Sequence, residues 1–145
     1  MPHVRATIRN AVVAALIAAN TAAGTRVYAH RVDPLDAAKL PALTVEAMDE
    51  DIQIEVQGRP AIVVQRNLRL RVTACVKTTP DDLDNLLAQV ETCMANSQSI
   101  GGAKIIEIGS LRGDVSGDLQ RPLYQGSQAF LVTYYTSQAN PGAAL

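Results

Sequence analysis

The chain has 145 residues, of which 48% are hydrophobic and 19% charged, and its formal net charge at pH 7 is -1. This length buries enough surface for a single soluble domain that needs neither a disulfide nor a metal ion. The balanced charge offers no basic field to nucleic acid or to an acidic membrane, and aromatic residues, which stack on single-stranded bases, amount to only 3%. We therefore expect one domain over residues 1–145, without sequence-specific nucleic-acid recognition and without a membrane partner.

The first segment predicts an amphipathic helix over residues 4–22, with Gly24 as a plausible stop. Its apolar positions form an i, i+4 stripe made of Val4, Ile8, Val12 and Leu16. A secretory signal peptide is the alternative, because Arg5 and Arg9 precede an alanine-rich run over 11–19. The unbroken stripe favours the folded helix, and the run is shorter than the roughly 20 apolar residues of a membrane span.

Strands are predicted next at residues 25–31, 42–56 and 61–77, because apolar residues recur there with a period of two. The second strand is interrupted by the acidic residues 49–51, where we expect a kink or a bulge. The turn before the third strand contains Gly58. In the third strand apolar and polar side chains alternate, so one face should meet the core and the other should meet water or a partner.

A second helix is predicted from Pro80 to about residue 97, with Thr79 as its N-terminal cap and acidic residues in its first turn. Beyond the turn at Gly101, a strand over 104–108 leads into a polar, glycine-punctuated stretch, and a final strand covers 125–137. The last residues, 138–145, are expected to be a mobile tail. This order predicts an α+β fold of two layers: a mostly antiparallel or mixed sheet of about four to six strands, with two main helices packed on one face.

No group of residues has the spacing of a catalytic or metal-binding motif. Cys75 and Cys93 are 18 positions apart, which suits buried structural thiols better than a zinc site. The two histidines, His3 and His30, have no partner in a recognisable nucleophile–base pattern. The glycine pair at 101–102 lacks the spacing of a phosphate loop. We therefore expect no enzymatic activity, no cofactor and no bound metal.

Charge is distributed unevenly along the chain. The first 32 residues contain four arginines and no acid, whereas residues 46–55 contain five acids and no base. A subunit with such polarity can associate head to tail, and contacts of that kind close into rings when the rotation permits. The alternative is two ordinary solvated faces, and charge alone does not decide between them.

The order of the segments is similar to that of a known family. The segments that carry the similarity are the opening helix Val4–Val12, the stretches Arg26–Pro34 and Leu40–Glu46 leading into acidic residues, the strand Leu68–Val72, the helix Asp82–Leu87 and the closing strand Phe130–Tyr134. In this layout the chain resembles the tail terminator proteins of long-tailed phages and prophages, the minor tail protein U type. The resemblance covers nearly the whole chain.

The resemblance implies a non-enzymatic virion assembly protein. Its subunits would form a hexameric ring on the head-proximal end of the tail tube, stop tube polymerisation and present the surface that joins the head. The implied partners are further copies of the chain, the tail tube protein and a head-completion or connector protein. The implied location is the virion tail, assembled in the cytoplasm of the bacterial host.

Candidate interface residues follow from the charge pattern. We expect the acidic segment Asp49, Glu50 and Asp51 and the loop at Gly58 to project toward neighbouring subunits or the tube. Complementary charge would come from the basic residues of the first helix and of the third strand: Arg5, Arg9, Arg69 and Arg71. The alternatives to a terminator are another small tail-completion or head–tail connector protein, or a secreted soluble binding module with residues 1–23 as signal peptide.

Overall fold

A computed structural model describes residues 2–29, 40–55, 62–117 and 122–145. Its elements are α1 (Val4–Ala18), β1 (Val27–Tyr28), β2 (Ala42–Glu55), β3 (Val63–Val76), α2 (Pro80–Ala95), a short 3-10 turn (Ile100–Gly102), β4 (Ile105–Gly117), β5 (Pro122–Ser137) and β6 (Asn140–Ala144). The predicted α+β fold is confirmed. The predicted turn at Gly58, His30 and most of the expected connection over 33–41 lie outside the described residues.

The described strands form one mixed sheet in the order β1-β2-β3-β5-β4, with β6 added to β5. Only β1 and β2 run parallel, and the other pairs are antiparallel. In β2 the register against β3 shifts between Ala47 and Glu50, which confirms the predicted bulge. The even-numbered apolar residues of β3 are buried on one face of the sheet, as the alternation predicts.

Helix α1 buries the predicted stripe completely. Val4 is 3% exposed, and Ile8, Val12 and Leu16 are fully buried. The helix ends at Ala18, before the predicted end at residue 22, and the stop at Gly24 is wrong. Asn20 takes the left-handed conformation instead, with φ 54, because the short amide side chain tolerates that region better than most residues.

Helix α2 begins as predicted. The Thr79 hydroxyl oxygen accepts a hydrogen bond from the backbone N–H of Asp82 at 3.1 Å, and Pro80 occupies the first turn. The helix buries the side chains that face the sheet, namely Leu83, Leu86, Leu87, Val90, Cys93 and Met94. These side chains and the α1 stripe belong to one hydrophobic cluster with Leu68, Leu70 and Val72 of β3. Both helices therefore pack on the same face of the sheet, as predicted.

Two expectations for the C-terminal part need correction. The glycine-punctuated stretch after residue 108 is a continuation of β4, because a bulge between Ile108 and Leu111 absorbs it. The Gln128 side chain donates to the carbonyl oxygens of Gly109 at 3.0 Å and of Ser110 at 3.4 Å, so the bulged backbone keeps its hydrogen bonds.

The expected mobile tail is instead ordered as β6. Strand β4 begins opposite Thr133, so the end of β5 has an open edge, and residues 140–144 turn back to pair with it. The backbone N–H of Leu145 donates to the Tyr135 carbonyl oxygen at 2.9 Å. Strand β6 packs closely against the 3-10 turn, since a Cβ on Gly102 would lie 2.6 Å from the Ala144 Cβ.

Candidate assembly interface

One face of the sheet has no helix on it among the described residues. We call it the open face; it carries the odd-numbered side chains of β3 and their neighbours on β2, β4 and β5. At one end of this face, a small cluster of buried apolar residues is formed by Leu40, Ala42 and Cys75. Its middle is charged, and it contains the predicted residues Arg69 and Arg71.

Four charged side chains of the open face form two ion pairs within the chain. A guanidinium nitrogen of Arg71 lies 2.8 Å from a carboxylate oxygen of Glu46, and one of Arg69 lies 3.6 Å from a carboxylate oxygen of Asp49. The side chains of all four residues are at least one-third exposed. Arg112 lies beside them, in a shallow depression of about 240 Å³. This surface therefore presents ion pairs rather than a field of one sign.

Apolar side chains are exposed among these charges. Met48 is 47% exposed, Ile105 49% and Leu131 36%. Met48 lines the same depression as Arg69, and Leu131 is paired in register with Arg69 and with Glu107. An apolar patch rimmed by polar groups is typical of a surface that contacts another protein.

Glu50 does not belong to this surface. Its side chain is only 3% exposed and lies on the helix side of the sheet, 3.0 Å from a guanidinium nitrogen of Arg66 and 3.5 Å from one of Arg5. The Tyr134 hydroxyl also donates to its carboxylate. The bulge explains this position, because the extra residue places Glu50 opposite Leu68 and reverses the faces that simple alternation would assign.

Among the predicted interface residues, the structure therefore brings together Arg5 with Glu50 and Arg69 with Asp49. It leaves Asp51 exposed on the open face, opposite Asn67. Arg9 lies on α1, where its guanidinium is 3.4 Å from the Asn10 side-chain oxygen. The three acids, predicted as one projecting unit, thus have three different environments.

Sequence reasoning missed three members of the Glu50 cluster: His3, Arg66 and Tyr134. His3 caps α1, since its Nδ1 accepts a hydrogen bond from the backbone N–H of Arg5 at 3.1 Å. Arg66 also donates to the Thr136 hydroxyl at 3.1 Å. A signal for Arg66 was present, because it is a charged residue at an even position of β3, in phase with the buried apolar ones.

Burial perturbs two titratable groups of the cluster. Burial, followed by the hydrogen bond to the Glu50 carboxylate and that carboxylate's charge, raises the pKa of Tyr134 well above its ordinary value. Burial, followed by the charges of Arg5 and Arg66, lowers the pKa of His3, and the Glu50 charge opposes this shift. The neutral form of His3 is also the form that can accept the capping hydrogen bond at Nδ1.

Two other features of the described residues concern metal binding and thiol reactivity. Within residues 2–29, 40–55, 62–117 and 122–145, no three His, Cys, Asp or Glu side chains gather as metal ligands would. Both cysteine side chains are buried, Cys75 on the open face and Cys93 on the helix side. Burial raises the pKa of the Cys93 thiol, which disfavours a reactive thiolate. None of the described helices has the length and apolar character needed to cross a bilayer.

Comparison with known proteins gives little further assignment. No protein-family model matches the chain, and no curated protein matches it. Among solved structures, it is similar to a chain in the "Virion of native gene transfer agent (GTA) particle", with 16% sequence identity, a TM-score of 0.45 and coverage of 92% of each chain. At that identity and TM-score the likeness assigns neither a family nor a role.

Proposed function

We propose that the chain is a structural subunit of a phage-like virion and that it acts as a tail terminator. In this role its copies form a ring on the tail tube, stop tube polymerisation and provide the surface to which the head is joined. The layout of the sequence supports the proposal, and so does the α+β fold that this layout implied. The protein acts through its surfaces, without a cofactor and without catalysis.

The observation that carries the proposal is the open face. A two-layer domain protects one side of its sheet with helices, and the other side meets water or a partner. Here that side combines exposed Met48, Ile105 and Leu131 with two ion pairs that form inside the chain. Paired charges lose less on desolvation than isolated ones, so this face suits burial against another protein better than its charge content alone indicates.

Assembly is tested by native mass spectrometry and negative-stain microscopy of the full chain over a wide concentration range. We expect a sixfold ring with an open lumen. Added to polymerising tail tube protein, the chain should shorten the tubes in proportion to its concentration. Monomers at every concentration, together with unchanged tube lengths, would refute the proposal.

A matched pair of variants locates the surface. Leu131 on the open face and Ile17 on α1 are almost equally exposed, at 36% and 37%. Leu131→Gln should weaken the shortening of tail tubes, whereas Ile17→Gln should leave it unchanged, with circular dichroism checking that both variants fold. Equal effects of the two substitutions would show that the open face is not the surface that contacts the tube protein.

The alternatives give different outcomes in the same assays. A head–tail connector would bind the head side of the particle and leave tube length unchanged. A secreted module would lose residues 1–23, which a mass measurement of the mature chain detects. The second alternative conflicts with the packing, because that cleavage would remove Ile8, Val12 and Leu16 from the hydrophobic core.

A further inference from the structure

Both edges of the sheet are unpaired over long stretches of the described chain. Strand β1 pairs only with Leu43 and Thr44, so among the described strands β2 from Val45 to Ile54 has a neighbour on one side alone. At the opposite edge, β4 pairs with β5 and with no other described strand. Unpaired N–H and C=O groups along such edges are templates for a strand of another chain.

The two edges expose aliphatic side chains on the same side of the sheet. On β2, Ile52 is 54% and Ile54 58% exposed; on β4, Ile108 is 58% and Leu111 57% exposed. Their register partners, such as Arg66 for Ile52 and Phe130 for Ile108, place all four on the helix side. When the edge strands of two copies pair, side chains from the two strands contact each other only if they lie on the same face of the sheet, and the four aliphatic side chains meet this condition.

The strand directions also allow the edge strands of two copies to pair. Strands β2, β3, β5 and β4 alternate in direction across the sheet. If β4 of one copy lies beside β2 of the next, that pair is antiparallel as well, and the alternation continues without interruption. The contact uses two different edges, so each added copy again offers a free β2 and a free β4, and a suitable rotation closes the series into a ring.

Charge selects one register for this pairing. Asp51 on β2 and Arg112 on β4 are exposed on the open face, and neither has an ion-pair partner among the described residues. In an antiparallel ladder that sets Ile52 opposite Leu111, Asp51 falls opposite Arg112. The bulge of β4 then brings Ile108 opposite Ile54. One register thus pairs the exposed aliphatic residues on one face and opposite charges on the other.

We propose that β4 of one copy pairs antiparallel with β2 of the next copy in this register, so that a single sheet continues from subunit to subunit. The occupant of each edge is a second copy of the same chain. The inference rests on the proposed function and deepens it by assigning the contact that builds the ring. Closure of such a sheet needs strand tilt and stagger, which the bulges in β2 and β4 favour.

Disulfide trapping tests the pairing directly. Directly opposite residues of an antiparallel pair have Cβ atoms close enough for a disulfide with little movement. A mixture of Ile52→Cys and Leu111→Cys chains should give covalent dimers on mild oxidation, whereas either variant alone should not. The double variant should give a ladder that ends at the ring size. Ile105→Cys is the matched control, because Ile105 is 49% exposed on the open face and should not cross-link with Ile52→Cys.

Charge exchange tests the register. Asp51→Arg and Arg112→Asp should each weaken assembly about tenfold per contact, since an attraction becomes a repulsion, and the double exchange should restore it. Failure of the double exchange to restore assembly would overturn the register.

The outcomes separate this inference from the proposed function. Rings without Ile52–Leu111 cross-links, or cross-links within the Ile52→Cys variant alone, overturn the edge pairing and leave the ring in place. Cross-linked open chains confirm the edge contact and refute a closed terminator ring. Monomers that never cross-link refute both.

Discussion

Replacing Glu50 by glutamine removes one charge from a buried cluster and changes little in shape. The substitution leaves Arg66, whose side chain is 11% exposed, without its counter-ion. Removing one partner of a buried ion pair costs about 3–5 kcal/mol, because the remaining charge stays desolvated. Arg5, at 44% exposure, can turn to water, and the glutamine oxygen can still accept one hydrogen bond. We therefore expect a loss at the lower end, about 3 kcal/mol.

Urea unfolding followed by far-UV circular dichroism measures this loss, since the chain contains no Trp. With a denaturant slope of about 2 kcal/mol per molar urea, the midpoint should fall by about 1.5 M. The matched control is Glu46→Gln, which breaks the Arg71 pair, where both side chains are at least one-third exposed. Exposed pairs are worth at most about 1 kcal/mol, so its midpoint should fall by no more than about 0.5 M.

A second variant separates the charge effect from general damage. Glu50→Gln combined with Arg66→Met removes both charges of the buried pair, and the double variant should be more stable than Glu50→Gln alone. Equal midpoints for Glu50→Gln and Glu46→Gln would refute the buried cluster. A double variant that is less stable than the single one would show that the cost does not come from an uncompensated charge.

Three further predictions concern other parts of the chain. In thermal unfolding, Gly101→Ala should destabilise the protein by about 2 kcal/mol or more, because Gly101 has φ +62 and an added Cβ would lie 2.8 Å from the Ile8 Cα. The control Gly113→Ala places its Cβ in open space and should cost less than about 1 kcal/mol, and equal costs would contradict the packing of α1 on this turn. Because the pKa of Tyr134 is raised in the folded state, its contribution to the free energy of unfolding should be fully present below the unfolded tyrosine pKa of about 10 and be lost as the pH rises above that value. Tyr134→Phe should reduce this loss in unfolding curves recorded at increasing pH, and an unchanged slope would contradict the burial of the phenol. Because the pKa of His3 is lowered in the folded state, its contribution to the free energy of unfolding should be present above the unfolded pKa of about 6.5 and be lost as the pH falls below it. His3→Ser keeps an N-terminal cap but should remove this pH dependence between about pH 7 and pH 5, and a persistent slope would assign it to other groups.

The elements with a strong period could be predicted from the sequence. The i, i+4 stripe determines which face of α1 is buried, and the Thr79 cap determines where α2 begins. The alternation in β3 determines which face of that strand is buried. The end of α1 could not be predicted from Gly24, since Asn20 provides the left-handed residue earlier in the chain. The order of β6 was missed because its stability comes from an edge of β5 that only the finished sheet creates.

The candidate site was predicted less well than the fold, and the bulge in β2 is the reason. Alternation assigns faces correctly only while the register is unbroken, and between Ala47 and Glu50 the strand β2 has one residue more than β3. The charge pattern correctly identified acids and arginines that lie close together, but it assigned them to contacts between subunits. The structure pairs Glu50 with Arg5 and Asp49 with Arg69 inside one chain.

The position of β3 between β2 and β5 has a consequence for folding during synthesis. Its first partner, β2, precedes it directly in the chain, but its second partner arrives much later, since Leu70 pairs with Phe130, 60 residues further on. At about 5–20 residues per second, the ribosome makes that stretch in roughly 3–12 s. For that time the β5-facing edge of β3 is unpaired, and among the described elements α2 is the first after β3 that can cover its apolar face, so chaperone binding to nascent chains should peak before β5 emerges.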